Sequence, residues 1–295
     1  MPAFLVSLIL LFCVSSAQAA PVSDPQGEWA RLAKEAAEMG LPSRFLRLLP
    51  LDFVKLEFAD LKNVAAEYHP DSHRMVFHRS LSEDNRGKRF RPIRDISSQD
   101  LATLYHELFH AYFDYVDFAS GTPKMTPQGA RLHEEAKGFL SCRYTVVELS
   151  PGPPQKGVLR KTRIEKRRLA EREGWDALNE TWGVFVGWAI WNKLETTDRL
   201  NPAARWDWDA LEDFLERLDD AYSSGDLTGY FEPANPEERK TIPRWYLAPA
   251  SGISTPEIAL LLEVILDEPP GMAGLAASWL TATDGRAAAP ALGTC

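Results

Sequence analysis

Three residues in the stretch LYHELFHAYFDYV (Leu104–Val116) have types and spacing suited to metal chemistry: His106, Glu107 and His110. On an α-helix, residues four apart share a face about one turn apart. His106 and His110 can therefore direct imidazole nitrogens at one Zn²⁺ ion. Glu107 follows the first histidine and is placed to polarise a metal-held water without binding the ion itself. The same residues could instead be ordinary polar groups of a helix. The zinc reading therefore needs a helix around the motif and a third ligand from elsewhere.

A catalytic zinc ion normally takes three protein ligands. The arrangement with a third histidine ten residues after the first would place it at Val116, with its glycine at Phe113, so this chain does not follow it. A glutamate from a separate helix remains, and two qualify. Glu135, in LHEEAKGF, lies on the helical stripe of Leu132, Phe139 and Cys142 and is expected to face inward. Arg131, Lys137 and Arg143 share its helix, however, and a surface ion pair worth ~0.3–0.5 kcal/mol would satisfy its charge. Glu180, in ALNETWGVFVGW, has no cationic residue within four positions, and its helix is apolar from Val184 to Trp191. An unpaired carboxylate buried there costs several kcal/mol, which a coordinated Zn²⁺ would offset. Gly183 and Gly187 near its face would let this helix approach the histidine helix closely. Glu180 is the favoured third ligand and Glu135 the alternative.

The elements that must position these groups are legible from caps and periodicity. Ser97-Ser98-Gln99-Asp100 resembles a capping box, which predicts a helix over about 98–118 with the motif in its middle. Leu101, Leu104, Leu108, Tyr112 and Tyr115 form its core-facing stripe. Upstream, Asp24 and Gly40 bound one helix, and a short second helix is expected over 42–49. Two β-prone runs, 64–68 and 75–78, flank Pro70-Asp71-Ser72 and predict a hairpin. His69, His73 and His78 are read there as strand and turn residues rather than ligands. A helix is expected from about Gly129 to Leu149, then a charged helix over 160–173 with a solvated face, then a buried helix carrying Glu180. Beyond Thr196 the expectation is a helix over 208–222, a loop-rich stretch around 229–252, a helix near 256–266 and a poorly ordered Ala/Gly-rich end. The fold class expected is α+β, mostly helical, with a small N-terminal hairpin or sheet.

Hydrophobic residues make up 45% of the 295 and charged ones 25%, enough for a real core. A net charge of -9 argues against nucleic-acid binding through phosphates. Residues 1–20 have an apolar run from Ala3 to Val14 and a small-x-small pattern at Ala17–Ala19, as in a cleaved export signal. The run is shorter than the ~20 residues of a membrane span. Cleavage would leave residues 21–295 as one domain, exported to the periplasm or the extracellular space, with a core over 64–195 and a helical C-terminal part over 196–295. Cys142 and Cys295 would then be its two cysteines, free to join but not spaced as a zinc site.

HELFH (His106–His110) and NETWG (Asn179–Gly183) together resemble the gluzincin-type zinc metallopeptidases, with the hairpin similar to that family's edge strand. The resemblance covers roughly residues 64–195, and the wide gap before Glu180 departs from the family's usual spacing. It implies a zincin-like domain holding one Zn²⁺ through His106, His110 and Glu180, with Glu107 as general base and a peptide or protein as substrate. A catalytically inactive binding scaffold on the same fold is the alternative. Asp114, one turn after His110, is a candidate to orient that imidazole. Tyr144 and His133 are candidates by type for the oxyanion donor.

Overall fold

The structure is a computed structural model that describes residues 19–62, 64–84, 87–150, 165–196, 208–269 and 271–284. The expected export segment falls almost wholly outside these residues, as does Cys295. Among the described residues are nine α-helices and two four-stranded sheets, a mostly helical α+β fold. The first half runs β1 (Ala20–Pro21), α1 (Pro25–Glu38), α2 (Arg44–Leu48), β2 (Lys55–Ala59), β3 (Ala66–His69), β4 (Arg74–His78), α3 (Ser98–Ala119) and α4 (Pro127–Cys142). The second runs β5 (Val146–Ser150), β6 (Glu165–Arg168), α5 (Glu171–Thr196), α6 (Trp208–Ser224), β7 (Tyr230–Phe231), α7 (Pro236–Thr241), β8 (Trp245–Leu247), α8 (Thr255–Val264) and α9 (Met272–Asp284). No helix among the described residues is long and apolar enough to cross a membrane.

The first sheet has the order β1-β2-β4-β3, with β2 and β4 parallel and the β3–β4 hairpin antiparallel. Pro70–Ser72 forms the 3₁₀ turn of that hairpin, and His73 closes it with left-handed backbone at φ 48°. β3 lies at the sheet edge, which leaves one side of its backbone outside the ladder. α3 begins as its sequence dictates, with Ser97 Oγ accepting the Asp100 N–H at 3.1 Å. Its predicted stripe is buried, and so are Tyr105, Phe109, Ala111, Phe113 and Val116 on other faces. A helix buried on nearly all sides belongs to the core.

α5 packs beside α3. Phe113 stacks on Trp175 at 4.8 Å and 7°, and Trp182 packs against Phe109, Phe113 and Phe139. Each such side chain contributes roughly 1.5–3 kcal/mol through burial. A fully buried carboxylate, Glu257, anchors the far side of this joint at the start of α8. Its Oε1 accepts from the Tyr144 hydroxyl (2.8 Å) and Trp182 Nε1 (2.9 Å). Its Oε2 accepts from Arg143 Nε (3.1 Å), Ser254 N–H (2.8 Å) and Ser254 Oγ (2.6 Å).

The second half departs from expectation in four places. α4 stops at Cys142, and Val146–Leu149 is strand, because β-branched Val146 and Val147 begin a period-two alternation of exposed and buried residues. Of the expected charged helix, 160–164 lie outside the described residues, and Glu165–Arg168 is a strand held by pairing with β5. The loop-rich stretch contains β7, α7 and β8, so a second sheet of order β6-β5-β8-β7 exists and the C-terminal part is not purely helical. Of the Ala/Gly-rich end expected to be poorly ordered, Met272–Asp284 forms α9, because Met272, Ala276 and Leu280 bury one helical stripe, and 285–295 lie outside the described residues.

Candidate metal centre

α3 sets His106 and His110 one turn apart on the side facing α5. Their Nε2 atoms are 2.8 Å apart, with ring planes at 87°. From α5, Glu180 Oε2 lies 3.6 Å from His106 Nε2 and 3.7 Å from His110 Nε2. Zinc bonds of ~2.0–2.1 Å at tetrahedral angles place ligand atoms about 3.3 Å apart, so these separations bracket the required spacing. The close approach of the helices depends on glycine. A Cβ at Gly183 would stand 2.8 Å from His110 Cε1 and 3.1 Å from His106 Cε1, and one at Gly187 would stand 3.0 Å from the Ala102 carbonyl oxygen.

Glu180 Oε2 is buried and has no hydrogen-bond partner among the described residues. An unsatisfied buried polar atom costs about 1–3 kcal/mol, and more if charged, so this oxygen is poised to meet a proton on either imidazole or a cation between them. The electrostatics agree. Burial lowers the His110 pKa, but the charge of Glu180 outweighs it, and the group is pushed up to about 9. Burial raises the Glu180 carboxyl, and the two imidazoles overcome this and hold it well below the usual carboxylate range. The site favours one positive charge between the three side chains. A proton on the imidazoles or a cation can supply it, and the His-His-Glu donor set fits Zn²⁺.

The groups around the ligand atoms differ from those expected. His110 Nδ1 lies 2.9 Å from Asn179 Oδ1, so the ring N–H donates to the amide oxygen and the Nε2 lone pair turns to the cluster. Asp114 does not perform this task. It accepts the Tyr68 hydroxyl and lies 2.8 Å from His73 Nδ1, which ties the hairpin to α3. The hairpin is tied a second time where the Tyr68 N–H donates to Glu107 Oε2 at 2.8 Å, leaving Oε1 4.0 Å from His106 Nε2. Glu135 is not in the cluster; it is half-buried on α4, where its charge acts on Arg131. The two oxyanion candidates are engaged elsewhere, Tyr144 with Glu257 and His133 with Asp117 at 3.1 Å.

The sequence reading missed Tyr230. Gly229 presses against α5 so closely that a Cβ would meet Thr181 N at 2.4 Å, one residue beyond Glu180. Tyr230 follows, and its phenol faces Glu180. Burial and the Glu180 carboxylate push its pKa far above the ordinary tyrosine value, and Glu107 adds to the effect. Tyr230 therefore keeps its phenol proton beside Glu180. Its signal was the aromatic pair Tyr230-Phe231 opposite Trp245-Tyr246, two short β-prone runs. No protein-family model, curated protein or solved structure matches this chain.

Proposed function

We propose that the chain is an exported zinc metallopeptidase of gluzincin-like design, a single catalytic domain over residues 21–295. The observation that carries this reading is Glu180 Oε2, buried and unpartnered, aimed at two imidazoles with Glu107 beside them. Zinc held by His106, His110 and Glu180 would supply Lewis-acid polarisation and a water of lowered pKa, towards ~7. The protein's own groups supply the rest. Glu107, fixed through Oε2 by the Tyr68 N–H, accepts the water's proton and delivers it to the leaving amine. Tyr230 stays protonated and donates its hydroxyl to the developing oxyanion. The outer edge of β3 offers backbone groups to an extended peptide, next to the base.

Metal analysis with hydrolysis assays on Glu107→Gln tests this. The variant should keep one zinc per chain and lose at least ~10²-fold in turnover. Loss of zinc and activity together would make Glu107 a structural group, and wild-type protein that takes up no zinc would end the reading. Export predicts a mature N-terminus at Ala20 or Pro21. Sequencing that finds Met1 intact on cytoplasmic protein would refute it.

A further inference from the structure

The second sheet brings a cation to the rim of this centre. Arg244 leads into β8, and its Cζ stands 4.6 Å from the centroid of the Tyr230 ring. Tyr246, two residues on, is the register partner of Tyr230, with the rings 5.8 Å apart. Tyr230 is itself fixed beside Glu180 by the contact of Gly229 with Thr181. Tyr230, Tyr246 and Arg244 thus form a small patch that continues outward from the ligand glutamate.

Arg244 is exposed and, among the described residues, has no carboxylate at ion-pair distance. Nearby cations differ. Arg167 is held by Glu173 and Glu238, Arg239 by Glu232 and Lys240 by Glu237. What sets Arg244 apart is its place against the Tyr230 ring, beside the candidate centre. Stacking on Tyr230 orients the guanidinium while its edge N–H groups stay open to a bidentate acceptor. A carboxylate matches that fork.

We infer that Arg244 selects peptides carrying a carboxylate within a residue or two of the scissile bond, as an acidic side chain or a free C-terminus. The inference rests on the peptidase reading, so binding and hydrolysis are measured separately. Zinc-loaded Glu107→Gln protein is titrated calorimetrically with alanine-rich N-acetyl hexapeptides. One pair differs only in a C-terminal acid or amide. The second pair, both amides, differs only in glutamate or glutamine near that end. One pair or the other should show at least about tenfold tighter binding of the acidic member, as a charge-assisted bidentate contact gives. The pair that does so identifies the source of the carboxylate. Adding Arg244→Ala should bring the ratio close to one, and adding Arg244→Glu should reverse it, with zinc content unchanged in both. Equal binding within both pairs, or a preference that survives Arg244→Ala, overturns the inference. If the preference depends on Arg244 but wild-type enzyme cleaves none of the four, carboxylate recognition stands and the peptidase reading falls.

Discussion

Glu257 packs against α5 and Glu180 belongs to it, and the fold treats the two carboxylates in opposite ways. Glu257 is fully buried and meets five hydrogen-bond contacts from four residues, one of them Trp182. Glu180, two residues before that tryptophan, keeps one buried oxygen without a hydrogen bond among the described residues, with two imidazole nitrogens 3.6 and 3.7 Å away. The first carboxylate is completed by the polypeptide and joins α4, α5 and α8. The second faces two imidazoles, and a proton shared with them or a cation completes it. A buried acid is thus a structural group or a ligand according to its donors rather than its depth.

The largest effect should come from the satisfied acid. Glu257→Ala would leave Arg143, Tyr144 and Trp182 without their acceptor and cost about 3–5 kcal/mol in denaturant unfolding, with or without zinc. A loss below 1 kcal/mol would dissolve the contrast. Glu180→Ala should behave differently. In the zinc-free protein the loss of stability should appear at pH values where the His110 imidazolium pairs with Glu180, and vanish above about pH 9. Zinc affinity, measured against a competing chelator, should fall more than ~10²-fold, beyond the 10–100-fold typical of outer partners. Glu135→Ala is the control: zinc lost there and kept by Glu180→Ala would reverse the assignment.

A smaller effect concerns pH. In the zinc-free protein His110 is raised from 6.5 to about 9. A group raised on folding stabilises fully below its unfolded pKa and loses that contribution as pH climbs through the folded value. Stability should therefore decline between pH 6.5 and 9, and Glu180→Gln should flatten that decline. A profile equally steep in both proteins would place the titration elsewhere.

Much of the first half was legible because its signals are local. Ser97 and Asp100 announce the start of α3, Pro70–Ser72 announce the hairpin, and Glu180 stood out because nothing nearby in sequence could neutralise it. The second sheet was not legible in the same way. Its strands are two to five residues long, and Leu149 finds its partner at Leu247, so short β-prone runs gain meaning only through distant pairing. Asp114 misled for a related reason. Spacing on one helix puts it below His110, but helix packing turns the free ring nitrogen towards Asn179 on α5 and leaves Asp114 to the hairpin. Tyr230 reaches the site through Gly229, whose role depends on a contact with α5 that no local pattern encodes.

Because its candidate ligands come from α3 and α5, an ion bound at the proposed centre would also be a cross-link. An unfolded chain offers an ion only the two neighbouring histidines, while the folded chain adds a carboxylate from a distant helix. An ion that prefers the folded form stabilises it by mass action, about 2.7 kcal/mol at one hundred times its dissociation constant. On the zinc reading proposed above, local supply of the metal would then set how long the molecule survives heat or proteolysis.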